Sequence, residues 1–546
     1  MGLLRLKAAE RWLLRAGVFL LPLAYTWNTY DRYVLPKLLL ARVVVIVLLM
    51  LFVARSILSG VLTIRRTPLD LPLLVFIASA SVSTVFAFNQ NVALLGTYSR
   101  YDGLLTLVTY VGLFWLTVQA LADGDEARRL LRVLLASGYL VAALAILQSV
   151  GDSAGQPSVA PAFGTLGQKN VLGMFLAMLA PLAYRELVDA DSRSKRILAL
   201  NVLAVIVVGL VLSLSRSAWL GATIAGVVLL FGTYRPNLRL AIAGVSAVLV
   251  AGLLIAGLTL THPQAPEPRP VIWRDSLPLI ASRPVFGYGP DNFGLVYPRF
   301  QSMNLGTQQV DKAHAEMLQV AATQGLIGLA AYGLVLVAFV RAYWRARERQ
   351  WAVAVFAALT AYQVTLQLNF SALAAALPFW VVAAAAMELW GAIRIMQIPL
   401  GHRRPAALAG AIATAALLTL TVVGVVRPYL ADANLLSAVQ ADVSGRSDAA
   451  RGPALTARQL WPPESVYAVE VANIAFERGE WVQAADAYRD AAALGTYNPL
   501  VYRNLALAEL KLGRITEARA AARRAFELDQ YDPANRALLA QLDPRS

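Results

Sequence analysis

The chain has 546 residues, of which 58% are apolar and only 15% charged, with a mean hydropathy of +0.58. That balance excludes an ordinary water-soluble domain and makes the chain a membrane protein. The net charge of +15, 48 basic residues against 33 acidic, reads as an orientation signal and not as a nucleic-acid surface. Zero cysteines exclude disulfides and thiolate metal sites.

Apolar runs of roughly 20 residues, the length a helix needs to cross the hydrocarbon core, recur from near the N-terminus to about residue 427. They predict spans at 12–27, 37–58, 69–88, 103–122, 127–150, 169–189, 195–213, 217–233, 237–260, 317–341, 350–371, 374–394 and 405–427. That makes thirteen, or twelve if the first span, which contains Arg15, or the pair flanking Ser371 is miscounted. The fold class expected is all-α, a polytopic bundle, because amides facing lipid must be satisfied within their own segment. The first run is followed by no small-residue cleavage site and reads as a retained span. With the N-terminus inside, every cytoplasmic loop is basic, from Arg5, Lys7, Arg11 and Arg15 to Arg394, Arg403 and Arg404.

Two outer loops are long, 151–168 and above all 261–316, and length there points to function. The basic residues that face outward run against the positive-inside bias and each needs a local reason. They are Arg32, Lys37, Arg100, Lys169, Arg216, Arg269, Arg274, Arg283, Arg299 and Lys312. Arg216, in "SLSRSAWLG", occupies a minimal turn between two spans, where a cation is costly unless it meets an anion. Arg269 and Arg274 lie in "RPVIWRDSLPLIASRPVFGYGPDNF", whose Trp273, Leu277 and Ile280 have helical spacing and predict a short amphipathic helix on the membrane, ended by Gly287, Gly289 and Pro290. Arginine suits a phosphate because its planar fork donates bidentately. Snorkelling to headgroups, or pairing of Arg274 with Asp275 or Glu267, is the plainer alternative. His314, in "DKAHAEMLQ" just ahead of the tenth span, is placed to act as general base, or else to anchor its loop.

Beyond residue 427 the chain is polar, alanine-rich and repetitive. Gly445, Gly479 and Gly513 recur every 34 residues, as do Ala450, Ala484 and Ala518, and Ala457, Ala491 and Ala525, with Pro499 and Pro533 in the same period. A 34-residue period with small residues where helices cross resembles the tetratricopeptide repeat, a helix-pair solenoid that usually binds a protein or peptide. In the first repeat, Gly452-Pro453 is expected to interrupt the second helix. The organisation expected is a transmembrane domain over 1–427 and a repeat domain over 428–546, outside the cytoplasm because the span count is odd.

"SLSRSAWLG", "RPVIWRDSLPLIASRPVFGYGPDNF" and "DKAHAEMLQ…GLIGL", in this order, resemble the O-antigen ligase and polymerase superfamily of bacterial glycan transferases. "GTYSRYDGLLT" at 96–106 and "FGTLGQKNVLG" at 163–173 are similar to its earlier outer loops, so the resemblance covers about residues 75–395. The attached repeats are similar to members carrying such arrays, including protein O-oligosaccharyltransferases. The resemblance implies transfer of a glycan from an undecaprenyl-type diphosphate to an acceptor hydroxyl on a glycan, lipid or protein. The reaction would occur at the outer side of the cytoplasmic membrane, without cofactor, metal or nucleotide. It makes His314 the catalytic base and Arg216, Arg269, Arg274 and Arg100 the diphosphate ligands. Family members usually carry Asn after the histidine, where this chain has Ala315. From other classes, a glycolipid flippase would need polar residues along mid-span, and a scaffold displaying the repeats would leave the outward arginines unexplained.

Overall fold

The computed structural model describes residues 2–152, 161–233, 268–305, 309–347, 351–400 and 403–543. Twelve of the predicted spans fall on helices, and the ninth, 237–260, lies outside the described residues. The first half contributes α1 (Gly2–Leu23), α2 (Leu35–Ser59), α3 (Asp70–Val85), a short α4 (Gln90–Leu95), α5 (Leu104–Ala120), α6 (Gly124–Asp152), α7 (Lys169–Val188), α8 (Arg193–Leu212) and α9 (Arg216–Thr233). Then come α10 (Arg269–Ser282), α11 (Phe293–Val296), α12 (Glu316–Ala346), α13 (Ala352–Leu366), α14 (Leu373–Leu389) and α15 (Arg403–Thr421).

Among the described residues seven helices are long and apolar enough to cross a membrane by length and composition: α2, α6, α7, α8, α9, α12 and the run Gly410–Val443. The chain is therefore a multi-pass membrane protein with an all-α fold. α3, α5, α13 and α14 are apolar but have only 16, 17, 15 and 17 residues. α14 is apolar all round because it is the centre of the bundle, with Ala383, Ala384, Ala385, Ala386 and Met387 wholly buried. Two charges of α1 are paired with neighbouring helices, Glu10 with Arg55 of α2 at 2.8 Å and Arg15 with Glu126 of α6.

Three local features depart from the sequence reading. A two-stranded antiparallel sheet joins β1 (Val61–Arg66) to β2 (Arg394–Pro399), pairing Arg66 with Arg394 and Val61 with Pro399 in segments read as loop. The helix α12 is broken at Gly325, which has φ +70 and ψ −172. Residues 284–289 fill the break: Leu326 N donates to Pro284 O at 2.7 Å, Tyr288 N to Ala322 O at 3.0 Å and Gly289 N to Thr323 O at 2.7 Å. A Cβ on Gly325 would stand 2.2 Å from Val285 O, so only glycine fits this crossing. The loop thereby satisfies the amide of Leu326 and the carbonyls of Ala322 and Thr323 that the broken helix leaves open. α10 does form, but its buried face is Ile272 and Leu279, while Leu277 is exposed.

No loop separates the bundle from the repeats. α15 passes through a π-helical turn, Val422–Val426, into α16 (Arg427–Val443), and Arg42 of α2 donates to Gly424 O in that turn at 3.0 Å. The repeats follow as α17 (Ser447–Leu460), α18 (Ser465–Glu477), α19 (Trp481–Leu494), α20 (Pro499–Lys511), α21 (Ile515–Leu528) and α22 (Pro533–Leu542). Gly445, Gly479 and Gly513 turn each pair at φ +71, +71 and +74, the left-handed state a helix end favours. The alanines recurring with the 34-residue period are all at 0% exposure, which sets the close helix crossing. The expected break at Pro453 is absent: α17 runs through it, at the loss of a single backbone donor.

The array packs back onto one end of the bundle. Asp432 of α16 accepts from Asp31 N at 2.9 Å and Tyr98 Oη at 2.6 Å. Asn91 Nδ2 donates to Pro463 O at 2.9 Å and Leu494 O at 3.0 Å, and Arg524 to Leu295 O at 3.1 Å. The segments 24–34, 86–103, 268–305 and 309–315 thus share one end with the repeats. The β1–β2 sheet and the basic loops around Arg55, Arg65 and Arg132 occupy the other.

Candidate active site

The site grows from the loop "GTYSRYDG". A Cβ on Gly96 would lie 2.4 Å from the carbonyl carbon of Tyr101, and one on Gly103 would lie 2.4 Å from Gly96 N. The two glycines therefore let the ends of the loop touch backbone to backbone between α4 and α5, closing a tight loop that carries Arg100. Arg100 Nε donates to Asp311 at 2.5 Å, and its guanidinium lies 4.8 Å over the Phe370 ring. The His314 ring meets the same Phe370 edge-on at 5.3 Å. Arg100, Asp311 and His314, from loops more than 200 residues apart, are thereby collected around one aromatic ring.

Beneath them Lys312 is almost wholly buried, donating to Asp102 at 2.8 Å and Asp291 at 2.6 Å. Burial opposes its charge, but Asp102 and then Asp291 outweigh that cost and hold the ammonium's pKa well above the ordinary lysine value. Asp291 also accepts from Thr97 N at 2.6 Å and Thr97 Oγ1 at 2.9 Å, tying the Arg100 loop to the "GYGPDNF" turn. The backbone of Ala313, next to His314, is fixed by Gln319 Oε1 at 2.8 Å.

Among the described residues five non-glycine residues have left-handed backbone: Ser99, Tyr101, Leu214, Asp291 and His314, with φ of 64, 53, 49, 56 and 52. All five fall in the quoted motifs at the end that bears the repeats. Such conformations cost of order 1–3 kcal/mol each and collect at functional sites. His314 is thus held against its local preference by the ion pairs of Asp311 and Lys312 before it and by the Gln319 side chain that accepts from the amide of Ala313.

Two cavities adjoin this cluster and share Asp102 and Ser371. One, of ≈ 290 Å³, is lined by Ser99, Arg100, Gln168 and Phe370; the other, of ≈ 100 Å³, reaches down between α3, α5, α12 and α14 past Glu316, Tyr110 and Trp380. Arg216 opens α9 directly after the strained Leu214 and is half-buried, and Arg269 opens α10. Neither lines these two cavities. Arg274 pairs with Asp275 at 3.2 Å and also reaches Ser302. Other outward cations have local structural reasons: Lys37 is buried on Ala24 O, Tyr33 O and Thr165 O at 2.7, 2.9 and 2.7 Å, and Arg283 lies 4.7 Å over Tyr288. The sequence reading did not single out Phe370, Asp102 or Asp291. The last two stood inside quoted motifs, and Phe370 had as its signal the polar "LNFS" break between two apolar runs.

Residues 201–333 match the model of a family described as O-Antigen ligase, a stretch that includes Arg216, Arg269, Arg274 and His314 but not Arg100. No curated protein matches the chain. A solved structure, the Arabidopsis OM64 TPR domain, is similar at 18% identity, covering 22% of this chain and 99% of that chain with a TM-score of 0.21.

Proposed function

We propose that this chain, which matches the O-antigen ligase family over residues 201–333, moves a glycan from a polyprenyl diphosphate to an acceptor hydroxyl on the repeat-bearing side of the cytoplasmic membrane. The family match supports a membrane glycosyltransferase of the ligase or polymerase type. The observation that carries the donor and acceptor assignment is the grouping of Arg100, Asp311 and His314 around Phe370, beside a ≈ 290 Å³ cavity.

In that reading the acceptor oxygen attacks the anomeric carbon, its proton passes to an imidazole nitrogen of His314, and the carbon–oxygen bond to the diphosphate breaks. The electron pair leaves with the polyprenyl diphosphate. The growing negative charge needs cations already in place, and Arg216 and Arg269 supply them as forks at their helix starts. Arg100 gives Asp311 its Nε and keeps its two Nη groups for the donor or the acceptor. Arg274, engaged by Asp275 and Ser302, joins only by exchanging those partners. The basic residues at the opposite end support a cytoplasmic position for that end, with the repeats outside.

The test is incubation of the purified chain with undecaprenyl-diphosphate glycan and, separately, a lipid-linked sugar, a free glycan and a Ser/Thr peptide, with products read by mass. Transfer to one acceptor with release of the lipid diphosphate is expected. It separates ligase, polymerase and protein O-oligosaccharyltransferase. Arg216→Lys keeps the charge but not the fork, so turnover should fall sharply with the fold intact. Parental turnover in both Arg216→Ala and Arg269→Ala would remove the diphosphate from this place.

A further inference from the structure

The repeats do more than project from the membrane domain: they touch the loops that build the site. Tyr497, in the turn between α19 and α20, packs at once with the array core and with the outer-loop core of Phe293, Tyr297 and Ala313. A Cβ on Gly294 would meet Asp311 Cα at 3.1 Å and Tyr497 Cδ2 at 3.7 Å, so the tyrosine ring and the partner of Arg100 border the same glycine. The Tyr497 hydroxyl is pushed up to about 12 by burial and then by the Asp311 carboxylate, against the pull of Arg100. Next to it, Gly495 has φ +98 and no room for a side chain, since a Cβ there would stand 2.6 Å from Val92 and 2.8 Å from Asn89.

Contacts of the same kind hold the other loops. Asp432 grips Asp31 and Tyr98, two residues before Arg100. Asn91, in the helix leading into the Arg100 loop, is fixed on Pro463 and Leu494. On the far flank Arg299 pairs with Glu527 at 3.1 Å, and Arg524 and Gln530 donate to Leu295 O and Gln301 O at 3.1 and 3.2 Å. Each loop that carries Arg100, Asp102, Asp291 or Asp311 is thus held by a different part of the array.

We propose that the repeat array is a fixed wall of the transfer site, with Tyr497 as a positioning residue that acts through Asp311 on Arg100, and not a tethered adaptor that swings clear during turnover. This rests on the transferase reading. It predicts that the docked face stays docked throughout the reaction. Any partner of the repeats must then use the remaining surface, and its binding would be felt at Arg100.

The absence of cysteine in the chain makes the test direct. In full-length protein Arg299→Cys with Glu527→Cys, both half-exposed and outside the catalytic cluster, can be bridged by a short bismaleimide. The bridged enzyme should keep the turnover of the unbridged pair. Gly495→Val, which forces the docked surfaces apart, should lower turnover by about a hundredfold, as a displacement of about 1 Å at a reacting group does. Array folding, read by amide exchange in α21, should not change. Tyr497→Ala should lower kcat with little change in acceptor KM, and Tyr497→Phe should recover most of it if the ring is the wedge. Loss of turnover on bridging, or parental turnover in a Gly495→Val protein whose docking loops have become exchange-labile at Asn91 and Arg299, overturns the proposal. Parental protein inactive on every donor would instead count against the transferase reading, because the bridged-to-unbridged ratio is defined only when the parent works.

Discussion

His314 is held in a left-handed conformation between Lys312, fixed by two carboxylates, and Gln319, which binds the preceding amide. A general base contributes ~10²–10⁴-fold to rate, so His314→Gln should lose transfer by that order while melting temperature and donor-lipid affinity stay near the parent. The acidic limb of the pH–rate profile should vanish in any residual activity, since the base works only when neutral. Transfer by His314→Gln at the parental rate would make the residue a spacer and move the base to Glu316 or Asp311. Lys312 has a different duty. Lys312→Met would leave Asp102 and Asp291 buried without their cation, a change that typically costs about 3–5 kcal/mol. It should therefore lower the melting temperature as well as activity, and equal stability in a thermal melt would refute the structural role given to the lysine.

The helix pairs of the array are built on alanines without exposure and on three glycines with nearly one φ, so their geometry follows from the 34-residue period. Glu470, in α18, departs from that plan. Burial first, then the like charges of Asp442 and Glu477, push its carboxyl up to about 7 from an ordinary 4.5. The folded array therefore binds this proton more tightly than the unfolded chain. Its contribution to stability is full below about pH 4.5 and is lost as pH rises through about 7. Amide protection of α18 and α19, corrected for intrinsic exchange, should be greater at pH 5 than at pH 8. Glu470→Gln should raise it at pH 8 and flatten the difference. Protection that rises with pH in the parent would contradict this reading.

The repeats and the strained loops share one end of the molecule, and the basic loops share the other. By the positive-inside bias, Gly2 is expected in the cytoplasm and the array outside. With single cysteines introduced at Gly2 and at the exposed Val443, an impermeant thiol reagent applied to intact cells should label only the second. Protection of Val443→Cys would reverse the orientation and make the array a cytoplasmic module.

The helical spans, the repeat period and the motifs that hold all five strained positions could be read from the chain because each depends on a local pattern: apolar length, 34-residue recurrence, or a cation where the bias forbids one. His314 and Arg100 could be named for the same reason. Their meeting on Phe370, the pairing of Lys312 with Asp102 and Asp291, and the seating of residues 284–289 in the break at Gly325 could not. Those contacts join segments far apart in sequence, and no periodicity or composition within one segment records which distant carboxylate or carbonyl will satisfy it. The β1–β2 sheet was hidden likewise, since a strand needs its partner and the partner lies more than 300 residues away. The docking of the array on the Arg100 loop was the largest such decision. A solenoid's repeat pattern specifies how its helices pack on one another, whereas the surface it rests on is selected by shape and paired polar groups that exist only once both parts have folded.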